Sequence, residues 1–108
     1  MASRQSTVDF IVNQLSLPHT VSVKKMFGEY GIYCDEKMVA LVCDDLLFVK
    51  PTLGGKAFLG NDYKEMAPYP GGKPSFVISG EKWDEHEWLS QLIIITYNEL
   101  PQPKKKSK

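Results

Sequence analysis

Val8, Ile11, Val12 and Leu15 recur at i, i+3, i+4 and i+7, the stripe that one face of an amphipathic helix turns toward a core. Ser6, with Asp9 three residues on, has the spacing of a capping box, and Pro18 breaks the periodicity. The pattern predicts a helix over residues 6–16. From Val21 the period shortens. Residues 21–27, 30–34, 37–43 and 46–50 form short runs of β-branched and aromatic side chains, separated by Gly28-Glu29, Asp35-Glu36 and Asp44-Asp45. Breaks of two residues close tight hairpins and are far too short for parallel crossovers, so these runs form an antiparallel meander. Gly28 has a second reading, as a bulge within one bent strand, because glycine reaches positive φ without strain.

The third and fourth runs are apolar on both faces. Alternation sets Met38, Ala40 and Val42 against Val39, Leu41 and Cys43, and sets Leu46 and Phe48 against Leu47 and Val49. Antiparallel sheets usually leave one face wet, so the second face here needs a cover: helices, or another copy of the chain. Residues 52–59 hold a short helix weakened by Gly54-Gly55. Residues 69–74, with two prolines and two glycines, read as a loop, and residues 75–79 as a brief strand. A last helix starts at Asp84 with Glu87 as a second capping-box pair, carries Trp88, Leu92 and Ile95 on one face and Leu89, Ile93 and Thr96 on the next, and ends before Pro101. The fold class is α+β: an antiparallel β-meander of about five strands packed by N- and C-terminal helices.

Length and composition narrow this further. A chain of 108 residues, 43% apolar, suits one domain, placed at residues 4–100, with 101–108 as a flexible Lys-rich tail. No apolar run approaches the ~18 residues of a membrane span, and no signal-peptide core follows Met1, which points to a cytoplasmic protein. The net charge of zero conceals an asymmetry. Four of the thirteen basic residues are Lys104, Lys105, Lys106 and Lys108, which leaves nine against thirteen acidic residues in 1–100. An acidic body repels phosphate backbones, so nucleic acid is expected to bind only weakly, through the tail, if at all.

Little in the chain resembles a catalytic constellation. His86-Glu87 opens like a zinc-protease motif, but Ser90 stands where the second histidine belongs, and His19 follows Pro18 in a loop. Gly54-Gly55-Lys56 and Gly71-Gly72-Lys73 lack the Ser or Thr that a phosphate loop needs after its lysine, and Asp44-Asp45 offers too few ligands for an ion cage. Six strand residues at ~3.3 Å each would hold Cys34 and Cys43 roughly 20 Å apart, beyond disulfide reach. They read as small core hydrophobes, with a reactive thiol as the minor alternative. The expectation is a protein that is not an enzyme, with no catalytic residues, cofactor or metal.

One segment stands out. Lys25-Met26-Phe27-Gly28-Glu29-Tyr30-Gly31-Ile32-Tyr33 sets two glycines among large side chains, unusual for strands, which normally avoid glycine. Either it is a kinked hairpin whose aromatics fill the core, or a groove where a partner or ligand approaches the backbone. This segment resembles the signature of the TfoX N-terminal domain family, a basic residue before Met-Phe-Gly, then Tyr-Gly and an apolar-aromatic pair. Residues 38–42 and 45–50 resemble the strands that follow in that family, and the ending Glu99-Leu100-Pro101 with its lysines is similar to single-domain members. The resemblance implies helices packed on an antiparallel sheet. It also implies a link to bacterial regulation of DNA-uptake competence genes, in which TfoX works with the cyclic-AMP receptor protein through a chain that carries a second, helical domain. No catalytic residue comes with it.

The leading expectation is therefore a domain acting through protein contacts, in transcriptional regulation of competence-type genes. Its interaction residues would be Met26, Phe27, Gly28, Tyr30, Gly31 and Tyr33. A homodimer is expected to cover the second apolar face. The runner-up is a small-ligand module built on the bend at residues 26–33 with Tyr69 and Trp83.

Overall fold

Asp44 and Asp45 lie at φ 54° and 58°, the left-handed pair that a type I′ turn demands and that aspartate tolerates better than most residues. They join β3 (Lys37–Cys43) to β4 (Leu46–Val49), with Cys43 opposite Leu46. Upstream, β1 (Val21–Met26) pairs with β2 (Glu29–Cys34), and β2 pairs with β3 across Asp35-Glu36. The computed structural model describes residues 4–17, 20–26, 29–60, 63–68, 71–78 and 80–100. Helix α1 (Gln5–Asn13) precedes the meander. After β4 come α2 (Leu53–Leu59), β5 (Lys64–Met66), β6 (Ser75–Ile78), a 3-10 turn (Gly80–Lys82) and α3 (His86–Glu99). The sheet has six antiparallel strands in the order β1-β2-β3-β4-β6-β5. β5, three exposed residues long, is the strand the sequence pattern missed, since it has no apolar alternation to detect.

The pairing of Met26 with Glu29 makes residues 21–34 a hairpin, not one bent strand, and puts Glu29 inside β2 instead of in the break. Between β2 and β3 the register slips: Ile32 faces Ala40, but Tyr33 faces Met38, so Val39 is an extra residue in a β-bulge. The bulge corrects the predicted alternation. Met38 shares a face with Leu41 and Cys43, while Val39 joins Ala40 and Val42 in the core.

That core lies between one face of the sheet and the helices. Ile32, Ala40, Val42, Leu47, Val49, Phe76 and Ile78 pack against Val8 and Ile11 of α1 and Leu89, Leu92 and Ile93 of α3. Neither long helix uses its predicted cap. Ser6 is already inside α1, and Arg4 at the N-cap makes no side-chain bond there. The Asp45 carboxylate serves instead, accepting from the Arg4 backbone N–H at 2.9 Å and the Thr7 hydroxyl at 3.0 Å. These bonds hold its carboxyl below the usual aspartate range. A turn delivered by the sheet thus replaces a local box. At α3 the N-cap is Glu85, and it is the Asp84 backbone carbonyl that accepts from His86 N–H, at 3.1 Å. α1 ends at Asn13, short of residue 16, because the Ser90 hydroxyl of α3 takes over the chain, accepting from Ser16 N–H at 2.9 Å and donating to the Gln14 carbonyl at 3.4 Å.

α2 lies against α3, and its glycines make that approach possible. A Cβ at Gly55 would come within 2.8 Å of the Thr52 hydroxyl and 3.3 Å of the Phe76 ring, and one at Gly54 within 2.8 Å of Ile95. Thr52 caps α2 by accepting from Gly55 N–H at 2.9 Å, and Glu99 accepts from Gly54 N–H at 2.9 Å. The pair that weakens the helix in isolation is what lets it pack. At the same C-terminal end of α3, Lys37 is 7% exposed and its Nζ donates to the Tyr97 and Leu100 carbonyls, each at 2.8 Å. The ammonium also lies 4.2 Å from the Tyr97 ring centroid. A cation here satisfies carbonyls that a helix C-terminus leaves without partners and opposes the negative end of its dipole.

Two substitutions test this packing. Lys37→Met keeps the stem but removes two charge-assisted bonds, so urea melts are expected to show a loss of roughly 2–4 kcal/mol. Gly55→Ala gains about 1 kcal/mol of helix propensity but meets Thr52 and Phe76, and a net loss of about 1 kcal/mol or more is expected. A gain in stability would show that α2 sits less tightly on Thr52 and Phe76 than described.

Candidate functional site

With the helices all on one face, the other face of the sheet is where a site has room. The pleat divides the predicted interaction residues between the two. Tyr30 is 5% exposed and belongs to the helix-side core, its phenol donating to Gln5 Oε1 of α1 at 3.3 Å. Gly31 and Tyr33 alternate to the opposite face. There Gly31 sits between Lys24 of β1 and Leu41 of β3, in regular pairing on both sides, and Lys24 Nζ lies 5.1 Å from the Tyr33 ring centroid. Met26 is the last residue of β1, while Phe27 and Gly28 lie outside the described residues, as does Tyr69. Trp83 is on the helix side, its indole N–H donating to the Ile78 carbonyl at 3.1 Å, and is not near the groove. Tyr30 and Tyr33 therefore do not form one surface, whereas Gly31 and Tyr33 do.

Part of this second face is roofed by the chain itself. Phe48 is 2% exposed and Cys43 3%, although neither belongs to the helix-side core. The segment that the sequence marked only as a loop, around Pro68 and Gly71 to Lys73, stands along β3 and leaves a groove of about 1010 Å³. Met38, Leu41 and Cys43 form its floor, made continuous by the bulge at Val39. Lys50 and Lys73 line it together with Ser75, and Glu29 lines it too. The strand registers give the groove a direction. Lys50 N–H donates to the Val39 carbonyl, so Lys50 marks the Met38 end, whereas the Glu29 carboxylate accepts from Asp44 N–H at 3.2 Å, beside Cys43. Gly71, at φ 84°, holds a left-handed bend in the wall. Sequence reasoning missed Lys50, Pro68 and Lys73 as site residues. The available signal was a doubly apolar strand pair followed by a Pro/Gly-rich loop able to fold back over it.

The chemistry of the remaining candidates is quiet. Cys34 and Cys43 are buried and unbridged. Burial, with Asp35 adding to it, pushes the Cys34 thiol up to about 11. Burial, then the Glu29 and Asp44 carboxylates, does the same for Cys43, also to about 11. A protonated, buried sulfur is a poor nucleophile, which favours the core reading over the reactive one. His86 is exposed at the start of α3, and His19 lies outside the described residues. Among the described residues no group of three or more His, Cys, Asp or Glu is placed to hold a metal ion. No helix among them is long and apolar enough to cross a membrane.

A helix-covered antiparallel sheet with one open, apolar face defines a small α+β domain whose visible resource is surface, not reactive groups. The chain belongs to the TfoX N-terminal domain family, which matches residues 13–100. It is also 37% identical over 105 residues to the "Uncharacterized 12.7 kDa protein in trpE 5'region" of Spirochaeta aurantia, an alignment covering 96% of this chain and 89% of that protein. Neither the family nor this relative points to catalytic activity.

The two thiols make a pH test. Each has a folded value near 11 against 9.0 when unfolded, so above pH 9 the unfolded chain releases protons that the folded chain keeps. Stability should therefore hold below pH 9 and fall as pH rises from 9 toward 11. In a Cys34→Ala/Cys43→Ala variant that fall is expected to shrink, as read from urea midpoints across the range.

Proposed function

We propose that this domain acts by binding, without catalysis, and that its open sheet face makes protein contacts in the transcriptional regulation of competence-type genes. The observation that carries the reading is the face itself: Tyr33, Met38, Leu41 and Leu46 are only half-buried there, and among the described residues no helix covers them. Family membership supports the regulatory setting. Nucleic acid enters only as a weak, sequence-blind grip by the lysines of residues 101–108. A second copy of the chain is the first partner to test, since a closed twofold pair buries such a strip on both copies at once. Light scattering at high micromolar concentration is expected to give twice the 12.2 kDa chain mass. Tyr33→Glu, which does not touch the helix-side core, should return the mass to that of one chain while melting like the parent. A parent mass of one chain would overturn the homodimer.

A second reading rests on a different observation. The groove of about 1010 Å³ beside β3 matches the size of small-ligand sites, which run to ~1,000 Å³, and its floor is apolar with few polar groups at its ends.

A further inference from the structure

We propose that the groove along β3 binds an elongated apolar molecule with a single anionic head, of the class of long-chain carboxylates, held head-first toward Lys50 and Lys73. This rests on the small-ligand reading of the same groove and adds the ligand's chemistry and direction. Three features of the groove select that class. Its floor, Met38, Leu41 and Cys43, spans four strand steps once the bulged Val39 is discounted, about 14 Å at ~3.4 Å per residue, the shape of a chain and not of a compact ring. At the Met38 end stand two cations, Lys50 and Lys73, and among the described residues neither takes part in an ion pair. Ser75, beside them, adds a hydroxyl. At the Cys43 end stands the Glu29 carboxylate, fixed by Asp44 N–H, which repels an anionic head there and leaves only one orientation for the ligand. A neutral chain would gain the floor but make no use of the two lysines. A compact anion such as acetate would answer them but bury almost no apolar surface.

The groove and the protein-contact strip share Met38 and Leu41, but the strip can be altered alone at Tyr33, which does not line the groove. Dodecanoate, dodecanol and acetate, each below its aggregation limit, are titrated into the full chain by isothermal calorimetry. The expected order is dodecanoate tightest, dodecanol weaker by about tenfold or more, and acetate undetected, since a charge-assisted pair contributes about one decade or more of affinity. In a Lys50→Gln/Lys73→Gln variant, whose surface changes should leave the fold intact by melting temperature, the preference for dodecanoate over dodecanol should fall to within about twofold. A neutral Tyr33→Ser variant, which adds no carboxylate beside the Met38 end, should bind dodecanoate as the parent does. Equal binding of dodecanoate and dodecanol by the parent would overturn the anionic head while leaving the groove a ligand site. Binding of neither would overturn the ligand reading altogether, and a dimer lost on Tyr33→Glu would still stand as the protein-contact reading.

Discussion

The Lys37 ammonium pins the C-terminal end of α3 to the closed side of this sheet. It rises from the start of β3, is almost fully buried, and gives its protons to two carbonyls at the C-terminal end of α3. A desolvated cation needs such partners, and a helix end has them to offer, so each holds the other in place. With α3 pinned there, Ser90 of the same helix gathers the end of α1, and Leu92 and Ile95 receive the glycines of α2. All three helices are thereby committed to one face. Function, if it lies in binding, is left the other.

That other face owes its character to a single inserted residue. Without the bulge at Val39, strict alternation would carry Met38 into the core with Ala40 and Val42. With it, Met38 lines up with Leu41 and Cys43, and a continuous apolar floor appears under the wall formed by residues 68 and 71–73. Phe48 and Cys43 are buried although neither belongs to the helix-side core, and Cys43 lies in the groove that the loop walls. The need for a cover on the second face is thus met in part from within, and what stays half-open is a groove and a strip near Tyr33.

Reactive chemistry is muted throughout this arrangement. Both thiols are pushed toward their protonated form, the Asp45 carboxylate is spent on capping α1, and the Gly-Gly-Lys sequences serve close packing in one case and a groove wall in the other. These groups, which could have looked catalytic, each have a structural occupation. This is consistent with a family and a relative that point to no catalytic activity.

The order of helices and strands was legible in the sequence because periodicity is a local property. The i, i+3, i+4, i+7 stripe of α1, the aspartate turns of the meander and the crowded apolar run of α3 all express backbone geometry within a few residues. The doubly apolar character of β3 and β4 was legible too, and it announced that both faces needed cover. What only the tertiary structure decided are matters set by residues distant in the chain. Asp45 displaced Ser6 as the cap of α1 because a sheet turn, 41 residues away from Arg4, delivered a better-placed carboxylate. Ser90 shortened α1 by offering its hydroxyl from another helix. β5 formed with no pattern of its own because β6 presented an open edge. The bulge at Val39 reassigned Met38, since register depends on the partner strand as much as on the strand itself. Local sequence determined what each segment would be, whereas long-range hydrogen bonds and registers chose which face each side chain would serve.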